Sequence, residues 1–495
     1  MSKTVEYSPT KHIRLEEVLN LNLNKELLNN ADSYNLNGTK FYDRLQLGRL
    51  IYNSNGKNGH PQEGLKIERY FTDGINDPFK SVGEYETRKI EIKNDEGKFI
   101  LNLEGYFPKS WNENSAKVAA GKYFFKPHKE EWGKKIESVT GKSYEYSPIN
   151  LFSRVSKFFG EWGQKLGYFK TEEDRKIFED ELNFLQINQM GAFNSPVYFN
   201  AGLNEAYGIT GSPGLNFARN PENGEVEKIE EGCYIRPQCH ACFIKGPEDN
   251  LESILEHGIT EGGIFSNGSG IGHNLNLRAE GEPLSSGGKS SGPMSFFEIY
   301  DTIASTIKSG GKTRRAARMT TMRYNHPDIM KFIRAKPKED YKALLLMKAG
   351  LEPGFEGEAY TSVKFQNTNL SVRLDDHFFE QLKKGGYIEL RFIKSGEVAS
   401  KISADQMLKE IAFGSWRIGD PAVQYESKIQ EMHTSKNSGP INSSNPCSEY
   451  MFLDDTSCNL ASLNLLKFSD SKGNFDIERY KKAIRIFTIA QDIAN

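Results

Sequence analysis

The first 150 residues contain one clear alternation of hydrophobic and polar positions. Residues 89–93 and 99–103 alternate with the period of two that is typical of strands, and residues 94–97 (NDEG) supply a turn between them. This pattern predicts a β-hairpin. The remainder is polar and rich in Asn, Lys and Tyr, so we expect residues 1–150 to be an N-terminal extension of helices and a hairpin.

Helical periodicity strengthens after residue 150. Thr171 and the three acidic residues after it are a typical helix start, and Phe178, Leu182 and Leu185 then fall on one face. A second predicted helix starts directly after Asn250, whose side chain is suited to capping. Both segments indicate helices that bury one face against a core.

Two prolines predict further helix starts, because proline is favoured in the first helical turn. A helix from Pro293 places apolar residues on one face, at positions 296, 300, 303 and 307, and another helix is expected from Pro327. Residues 371–374 and 387–392 resemble strands and alternate with helical stretches at 375–384 and 404–413. Strands that alternate with helices predict an α/β fold.

The last apolar pattern, from residue 477 to residue 493, predicts an amphipathic helix that continues to Asn495 without a glycine cap. From the sequence we therefore expect a fragment or the product of a split gene. Residues 151–495 are expected to form the main domain.

Composition narrows the class of protein. The chain has 495 residues, 37% of them hydrophobic and 26% charged, which is ordinary for a globular protein. The net charge of -2 does not favour nucleic acid as a partner. No apolar run approaches the roughly 20 residues of a membrane span, and residues 1–6 (MSKTVE) lack the apolar core of a signal peptide. We expect a cytoplasmic protein without a membrane or nucleic-acid partner.

The five cysteines are too few and too clustered for a secreted disulfide framework. Cys233, Cys239 and Cys242, with His240, offer three thiols and an imidazole within ten positions, in a segment (239–244) that resembles a short strand. A C-x2-C pair is half of a common zinc site, but no matching second half follows it. The alternatives are redox-active thiols and small buried hydrophobes.

The most chemically specific segment is residues 445–449 (NPCSE). Asn445, Cys447 and Glu449 are two positions apart, so in an extended backbone their side chains point the same way. The amide can hold a hydroxyl group, the carboxylate can accept a proton, and the thiol can form a covalent or radical intermediate. Another cysteine, Cys458, follows closely.

Glycine-rich stretches at residues 262–272, 285–292 and 309–315 can cradle phosphate with backbone amides, although none matches the P-loop. Residues 191–202 resemble a loop whose small polar side chains can approach a ligand. Flexible linkers and an ordinary turn are the alternatives.

Several of these segments together resemble the catalytic subunits of ribonucleotide reductases. Residues 445–449 resemble the finger-loop motif of that family. Five further segments resemble motifs of the family and occur in the same order as in the family: 193–200 (FNSPVYFN), 241–243 (ACF), 269–272 (SGIG), 309–319 (SGGKTRRAARM) and 326–329 (HPDI). Residues 121–124 (GKYF) and 163–169 are similar to the large class II enzymes, which use adenosylcobalamin.

The resemblance implies a vitamin B12-dependent ribonucleoside-diphosphate reductase, although the residues leave open whether the substrate is a di- or triphosphate. Cys447 is the implied carrier of a thiyl radical, Glu449 the general base and Asn445 a hydrogen-bonding partner of the substrate. Cys242 and Cys458 are the implied redox pair.

The resemblance also implies binding residues for two nucleotides, and it implies no metal ligand. The implied substrate contacts are Ser195, Ala241, Gly270, Asn445, Pro446 and Ser448. The implied contacts of a deoxynucleoside triphosphate effector at a dimer interface are Asp249, Arg278, Lys312, Arg314 and Arg315.

The family barrel has ten strands in two halves of five, and the resemblance implies that this chain holds the first half, the finger loop and the start of the second half. The implied partners are a ribonucleotide, the effector, a second chain that completes the barrel, a thioredoxin-like reductant and a second copy of the assembled enzyme. Three alternatives stay open: a class I catalytic subunit with a separate radical-generating subunit, a non-catalytic nucleotide-binding or assembly module, and a zinc-binding scaffold.

Overall fold

The structure, a computed structural model, describes residues 64–93, 97, 99–219, 224–307, 316–354 and 357–495. The strands are β1 (Tyr85–Lys93), β2 (Phe99–Pro108), β3 (Gly191–Phe193), β4 (Phe217–Arg219), β5 (Val226–Lys228), β6 (Cys242–Ile244), β7 (Gly270–Asn274), β8 (Arg318–Arg323), β9 (Asn369–Leu374), β10 (Tyr387–Arg391), β11 (Val398–Ser403), β12 (Ala422–Tyr425), β13 (Ser443–Ser444), β14 (Met451–Phe452), β15 (Thr456–Cys458) and β16 (Ala461–Leu463).

The helices are α1 (Glu113–Val118), α2 (Glu130–Thr140), α3 (Pro148–Lys165), α4 (Glu172–Ile187), α5 (Ser195–Asn200), α6 (Leu203–Tyr207), α7 (Leu251–Ser266), α8 (Pro293–Thr306), α9 (Ile329–Ile333), α10 (Ala335–Lys348), α11 (Glu358–Thr361), α12 (Asp376–Lys384), α13 (Ala404–Ile418), α14 (Glu426–Met432) and α15 (Ile477–Ala494). In the described residues, no helix is both long enough and apolar enough to cross a membrane.

The central element is a six-stranded sheet in the order β12-β9-β8-β7-β6-β15. Its first five strands are parallel, and β15 joins β6 in the antiparallel sense. Helices connect consecutive parallel strands, as parallel pairing requires a long crossover. The α/β prediction is therefore confirmed.

The predicted hairpin is present and longer than expected, since β1 and β2 pair along their whole length. Residues 94–96 of its predicted turn lie outside the described residues. Behind the hairpin, α3, α4 and α15 share one hydrophobic core, in which the rings of Phe193 and Phe487 lie 4.9 Å apart. This core draws residues from both sides of position 150, and the division of the chain there stays a prediction.

The capping residues in the sequence predicted the starts of several helices correctly. The side chains of Thr171 and Asn250 accept the backbone hydrogen bonds that cap α4 and α7, and α8 begins at Pro293. The face predicted for α4 is buried in the core. The predicted terminal helix is α15, so these segments follow from sequence alone.

Three local predictions are wrong in detail. Residues 191–202 are not a loop: they form β3 and α5, because Pro196 favours a helical first turn and the apolar residues after it are buried. The strand expected from Cys239 begins at Cys242. The helix expected from Pro327 begins at Ile329, after a turn in which His326 accepts a bond from the Asp328 amide. The strand predicted at residues 387–392 is confirmed as β10, which pairs with β11 outside the main sheet.

Candidate active site

A finger, defined as residues 443–452, lies against strand β7. Its base is the short pair β13–β14. A Cβ atom on Gly272 would be only 1.5 Å from the carbonyl oxygen of Ser444, and one on Gly270 would be 2.6 Å from Cγ of Pro446. Real Cβ atoms do not approach backbone atoms this closely, so glycine at both positions is what lets the finger lie on the sheet.

The tip of the finger is a turn, so the predicted extended backbone is wrong. Ser448 has a positive φ of 67°, and its amide donates to the carbonyl oxygen of Asn445. Distant residues hold this turn: Gln424 Nε2 donates to Ser448 Oγ (2.6 Å), and Asn369 Nδ2 donates to the Pro446 carbonyl oxygen (2.9 Å). The turn is therefore fixed by tertiary contacts.

The turn separates the three side chains that an extended strand would have aligned. Asn445 is fully buried, whereas Cys447 and Glu449 are exposed. The Asn445 Oδ1 atom accepts a bond from the Tyr450 amide (2.9 Å), and its Nδ2 lies 3.4 Å from the Cys242 sulfur. Asn445 thus joins the finger to strand β6.

Cys242 and Cys458 are directly opposite each other in the antiparallel pair β6–β15. Both are buried, and all five cysteines of the chain are reduced thiols. A hydrogen bond to Cys242 is the largest cause that raises the pKa of the Cys458 thiol, followed by burial, and the negative charge of Glu449 adds to it. These interactions bring Cys242, Cys458, Asn445 and Glu449 into one site and keep the Cys458 thiol protonated at neutral pH.

The register of this pair suits disulfide formation. Directly opposed residues in an antiparallel ladder have Cα atoms about 4.5 to 5.5 Å apart. A disulfide spans Cα separations of about 4.4 to 6.8 Å. Two protonated thiols held at this register can therefore give up two electrons and two protons with little movement of the backbone.

Ala241 and Gly270, two predicted substrate contacts, lie beside the cysteine pair. The Ala241 amide donates to the Cys458 carbonyl oxygen (2.9 Å), and the Gly270 amide donates to the Ala241 carbonyl oxygen (2.9 Å). Gly270 is also the register partner of Cys242. Backbone ladders therefore bring these positions together with the thiols and the finger.

Ser195, the third predicted contact, begins the short helix α5. The preceding Asn194 donates from its amide to the Leu460 carbonyl oxygen (3.0 Å) and from Nδ2 to the Cys239 carbonyl oxygen (2.7 Å). These bonds tie α5 to chain segments next to both redox cysteines. The Ser195 hydroxyl forms a hydrogen bond with the hydroxyl of Tyr123 (3.1 Å).

Three residues at this site were missed by sequence reasoning: Tyr123, Asn369 and Gln424. Each lies in a different segment. Tyr123 and Asn369 each form one hydrogen bond to a site residue, and Gln424 Nε2 donates to two serines of the finger, Ser444 and Ser448. Tyr123 ends a short π-helix, a distortion that is frequent at functional sites. No local pattern marks the other two, because their contacts depend on the register of β9 and β12.

The two described effector candidates contact each other. The Arg278 Nε atom lies 2.8 Å from Asp249 Oδ2, and the Arg278 amide donates to Asp249 Oδ1 (3.1 Å). Asp249 precedes α7 and Arg278 follows β7, so the pair fastens a helix start to a strand end. Lys312, Arg314 and Arg315 lie outside the described residues.

The structure does not assemble a zinc site from the cysteines. Of the described residues, the group close enough to share a metal ion is His257, Glu261 and His273. Burial raises the pKa of Cys239 to about 12, which disfavours the thiolate that zinc requires.

Comparison with known proteins gives two family matches. Residues 240–494 match the model described as "Ribonucleotide reductase, barrel domain". Residues 86–189 match the model described as "Class II vitamin B12-dependent ribonucleotide reductase". The first match covers the main sheet, the finger and the redox cysteines.

Curated relatives carry corresponding names. The "Vitamin B12-dependent ribonucleotide reductase" of Rhodopirellula baltica is 42% identical over 435 residues, which are 87% of this chain and 41% of the relative. The protein of the same name from Streptomyces coelicolor is 38% identical over 448 residues, or 89% of this chain and 42% of the relative. The chain thus spans about two fifths of the length of these relatives.

Proposed function

The chain belongs to the ribonucleotide reductase family, and from this premise we propose that it provides the radical and redox cysteines of a vitamin B12-dependent enzyme that reduces ribonucleotides to 2′-deoxyribonucleotides. The observation that carries the proposal is the opposed pair Cys242–Cys458 beneath a finger that presents Cys447. A thiol pair that can be oxidised and a separate exposed thiol are the parts this reduction requires.

Cys447 carries a transient thiyl radical and takes the 3′-hydrogen atom of the ribose. The C3′–H bond of the ribose is too strong for an ordinary base to break. Sulfur can both hold an unpaired electron and return a hydrogen atom. The exposed position of Cys447 on the turn supports this role, because a nucleotide can reach the sulfur.

Glu449 accepts the proton of the 3′-hydroxyl group, and Asn445 fixes the position of the finger and hydrogen-bonds the substrate. The influence of Glu449 on the Cys458 thiol supports a carboxylate near the redox pair. The buried amide of Asn445 has a defined orientation because Tyr450 donates to its oxygen. Pro446 and Ser448 complete the substrate side of the finger, with Ser195, Ala241 and Gly270.

Cys242 and Cys458 supply the reducing equivalents. The C2′–O bond breaks and the oxygen leaves as water, a C–H bond forms at C2′, and a disulfide forms between the two cysteines. Cys447 then returns its hydrogen atom to C3′. One ribonucleotide and two thiols thus give one deoxyribonucleotide, one water and one disulfide, which a thioredoxin-like dithiol reduces by exchange.

Adenosylcobalamin is the cofactor, and when bound it supplies the radical that Cys447 receives. The Cys447 side chain is accessible to such a group. A trough of about 560 Å³ that begins beside Ser448 has room for part of it, and its lining includes the apolar side chains of Val423, Tyr425, Met432, Met451 and Phe452.

A second chain segment completes the barrel. The sheet ends at β12 on one side and at the antiparallel strand β15 on the other. An open sheet edge presents unpaired backbone groups that a further strand can bind. This chain matches 41% of the length of one curated relative, and the larger, unmatched part of that relative leaves room for such a segment.

An effector site at a dimer interface is supported by helices α7 and α8. Leu251, Leu255 and Ile259 are four residues apart on α7 and exposed, and Ile299 is exposed on the neighbouring α8. Such an apolar stripe on a helix pair suits self-association. The Asp249–Arg278 pair lies at the start of the same helix, and residues 309–319 would carry the effector's signal to the substrate base.

The test is reconstitution of the chain with the remaining portion of the barrel, adenosylcobalamin, a dithiol and ribonucleotides. We expect deoxyribonucleotide formation that requires the cofactor and is lost in Cys447→Ala, while Cys233→Ala retains activity. Activity that survives Cys447→Ala would contradict the radical role and favour the non-catalytic module. The class II match at residues 86–189 favours cobalamin over a class I radical-generating subunit, and reduction without cobalamin would reverse that preference.

A further inference from the structure

Three metal-binding side chains converge on the helix-facing side of strand β7, away from the finger. His257 and Glu261 are one turn apart on α7, and His273 projects toward them from β7. His257 Nε2 lies 2.8 Å from His273 Nδ1, and Glu261 Oε1 lies 3.3 Å and 3.2 Å from these nitrogens. All three side chains are almost completely buried.

Two of the three separations are close to the spacing of ligands around one ion. Ligands bound to tetrahedral zinc at about 2.0 to 2.2 Å lie roughly 3.3 to 3.6 Å apart, so the two Glu261 contacts fit, and the 2.8 Å between the ring nitrogens must widen by about half an ångström when the ion binds. Two ring nitrogens at 2.8 Å also require something between them, either a proton or a cation, since two lone pairs repel each other.

The environment of Glu261 Oε1 favours a cation. This atom is buried and has no hydrogen-bond partner in the described part of the chain, although it faces both histidines. Its other oxygen, Oε2, lies 3.4 Å from Arg318 Nη1, which leaves Oε1 available for a ligand. An unpartnered buried carboxylate oxygen is costly, and a metal ion would satisfy it.

The surroundings prepare His273 as a neutral ligand. Its far nitrogen, Nε2, lies 2.9 Å from Thr320 Oγ1, and a hydrogen bond of this kind directs the lone pair of Nδ1 toward the cluster. Arg318 also lies 3.7 Å from Asp301, so its single positive charge faces two carboxylates, and a bound cation would offset the remaining negative charge.

We propose that His257 Nε2, His273 Nδ1 and Glu261 Oε1 bind a divalent transition-metal ion, with zinc the best match to two imidazoles and one carboxylate. The ion would fasten α7 to β7, the strand on which the finger lies. The site is structural, because its ligands are buried and lie on the opposite face of β7 from Cys447. It is independent of the proposed reductase activity and of cobalamin.

The test uses the full 495-residue chain, produced with zinc and without cobalamin, so that cobalt from the cofactor cannot interfere. We expect about one zinc per chain after dialysis, and visible d–d absorption bands after replacement by Co²⁺. His273→Gln is expected to weaken binding at least tenfold, whereas His377→Gln, at an exposed position, leaves binding unchanged.

Folded wild-type chain without stoichiometric zinc and without Co²⁺ bands would overturn the proposal and assign a proton to the cluster. Equal binding by wild type and folded His273→Gln would also overturn it, because the ion would then bind elsewhere. If His273→Gln does not fold, the wild-type Co²⁺ spectrum alone decides. None of these results depends on Cys447, so they are distinct from failure of the reductase proposal.

Discussion

The two faces of strand β7 differ in how they pack, because alternate residues of the strand point to opposite sides. Toward the finger, Gly270 and Gly272 have no side chains, so the backbone of another segment approaches within van der Waals distance. Toward the helices, Ile271 and His273 are completely buried and pack beneath α7. One face gives space to reactive groups and the other holds the strand in place, so changes on the two faces should have separable effects.

The largest effect is expected on the finger face, from Cys447→Ala. We predict a loss of turnover of at least about a thousandfold, since removal of a covalent catalytic group leaves little residual rate. The free energy of unfolding should hardly change, because Cys447 is exposed. Product formation in the reconstituted enzyme and thermal unfolding together check this, and a large stability loss would mean that Cys447 has a structural role.

The largest stability effect is expected on the helix face, from Glu261→Gln. Its carboxylate is buried beside Arg318, and loss of one partner of a buried ion pair costs about 3 to 5 kcal/mol. The control Asp405→Asn breaks the exposed pair with Lys409 and should cost less than about 1 kcal/mol. Denaturant unfolding measures both, and equal losses would contradict the account of the buried cluster.

Gly272→Ala should disturb the finger face with a smaller loss of stability. The added methyl group collides with the Ser444 carbonyl oxygen, and overpacking of this kind costs about 1 to 3 kcal/mol. Activity should fall strongly because the finger carries Cys447. Ile271→Val, on the other face, should cost about 0.5 to 1.5 kcal/mol and leave activity nearly intact. If Gly272→Ala retained full activity, the finger would not depend on this close contact.

The smallest effect is a pH dependence of the free energy of unfolding, which arises from the redox pair. The folded chain raises the pKa of Cys458, so it holds a proton that the unfolded chain releases above about pH 8.5. The resulting stabilisation is complete below that pH and is lost as pH rises, by about 1.4 kcal/mol per unit at most. The free energy of unfolding, measured from pH 7 to 10, should fall with pH in the wild type and fall less steeply in Cys458→Ser.

Local sequence signals predicted the helices around the site better than the conformation of the finger itself. Thr171, Asn250 and Pro293 mark helix starts by chemistry that acts within a few residues, and the helices begin there or one residue later. The turn at Ser448 was missed because Gln424 and Asn369 hold it from other strands. The resemblance pointed to the pairing of Cys242 with Cys458, but their opposed register depends on the whole sheet.

We propose that Cys447 initiates a reduction for which Cys242 and Cys458 provide the electrons. The decisive experiment is a single turnover of the reconstituted enzyme without external dithiol, followed by mass spectrometry of its cysteine peptides. We expect one Cys242–Cys458 disulfide for each deoxyribonucleotide, and neither product in Cys447→Ala. Deoxyribonucleotide formed while Cys242 and Cys458 stay reduced, or formed by Cys447→Ala, would contradict it.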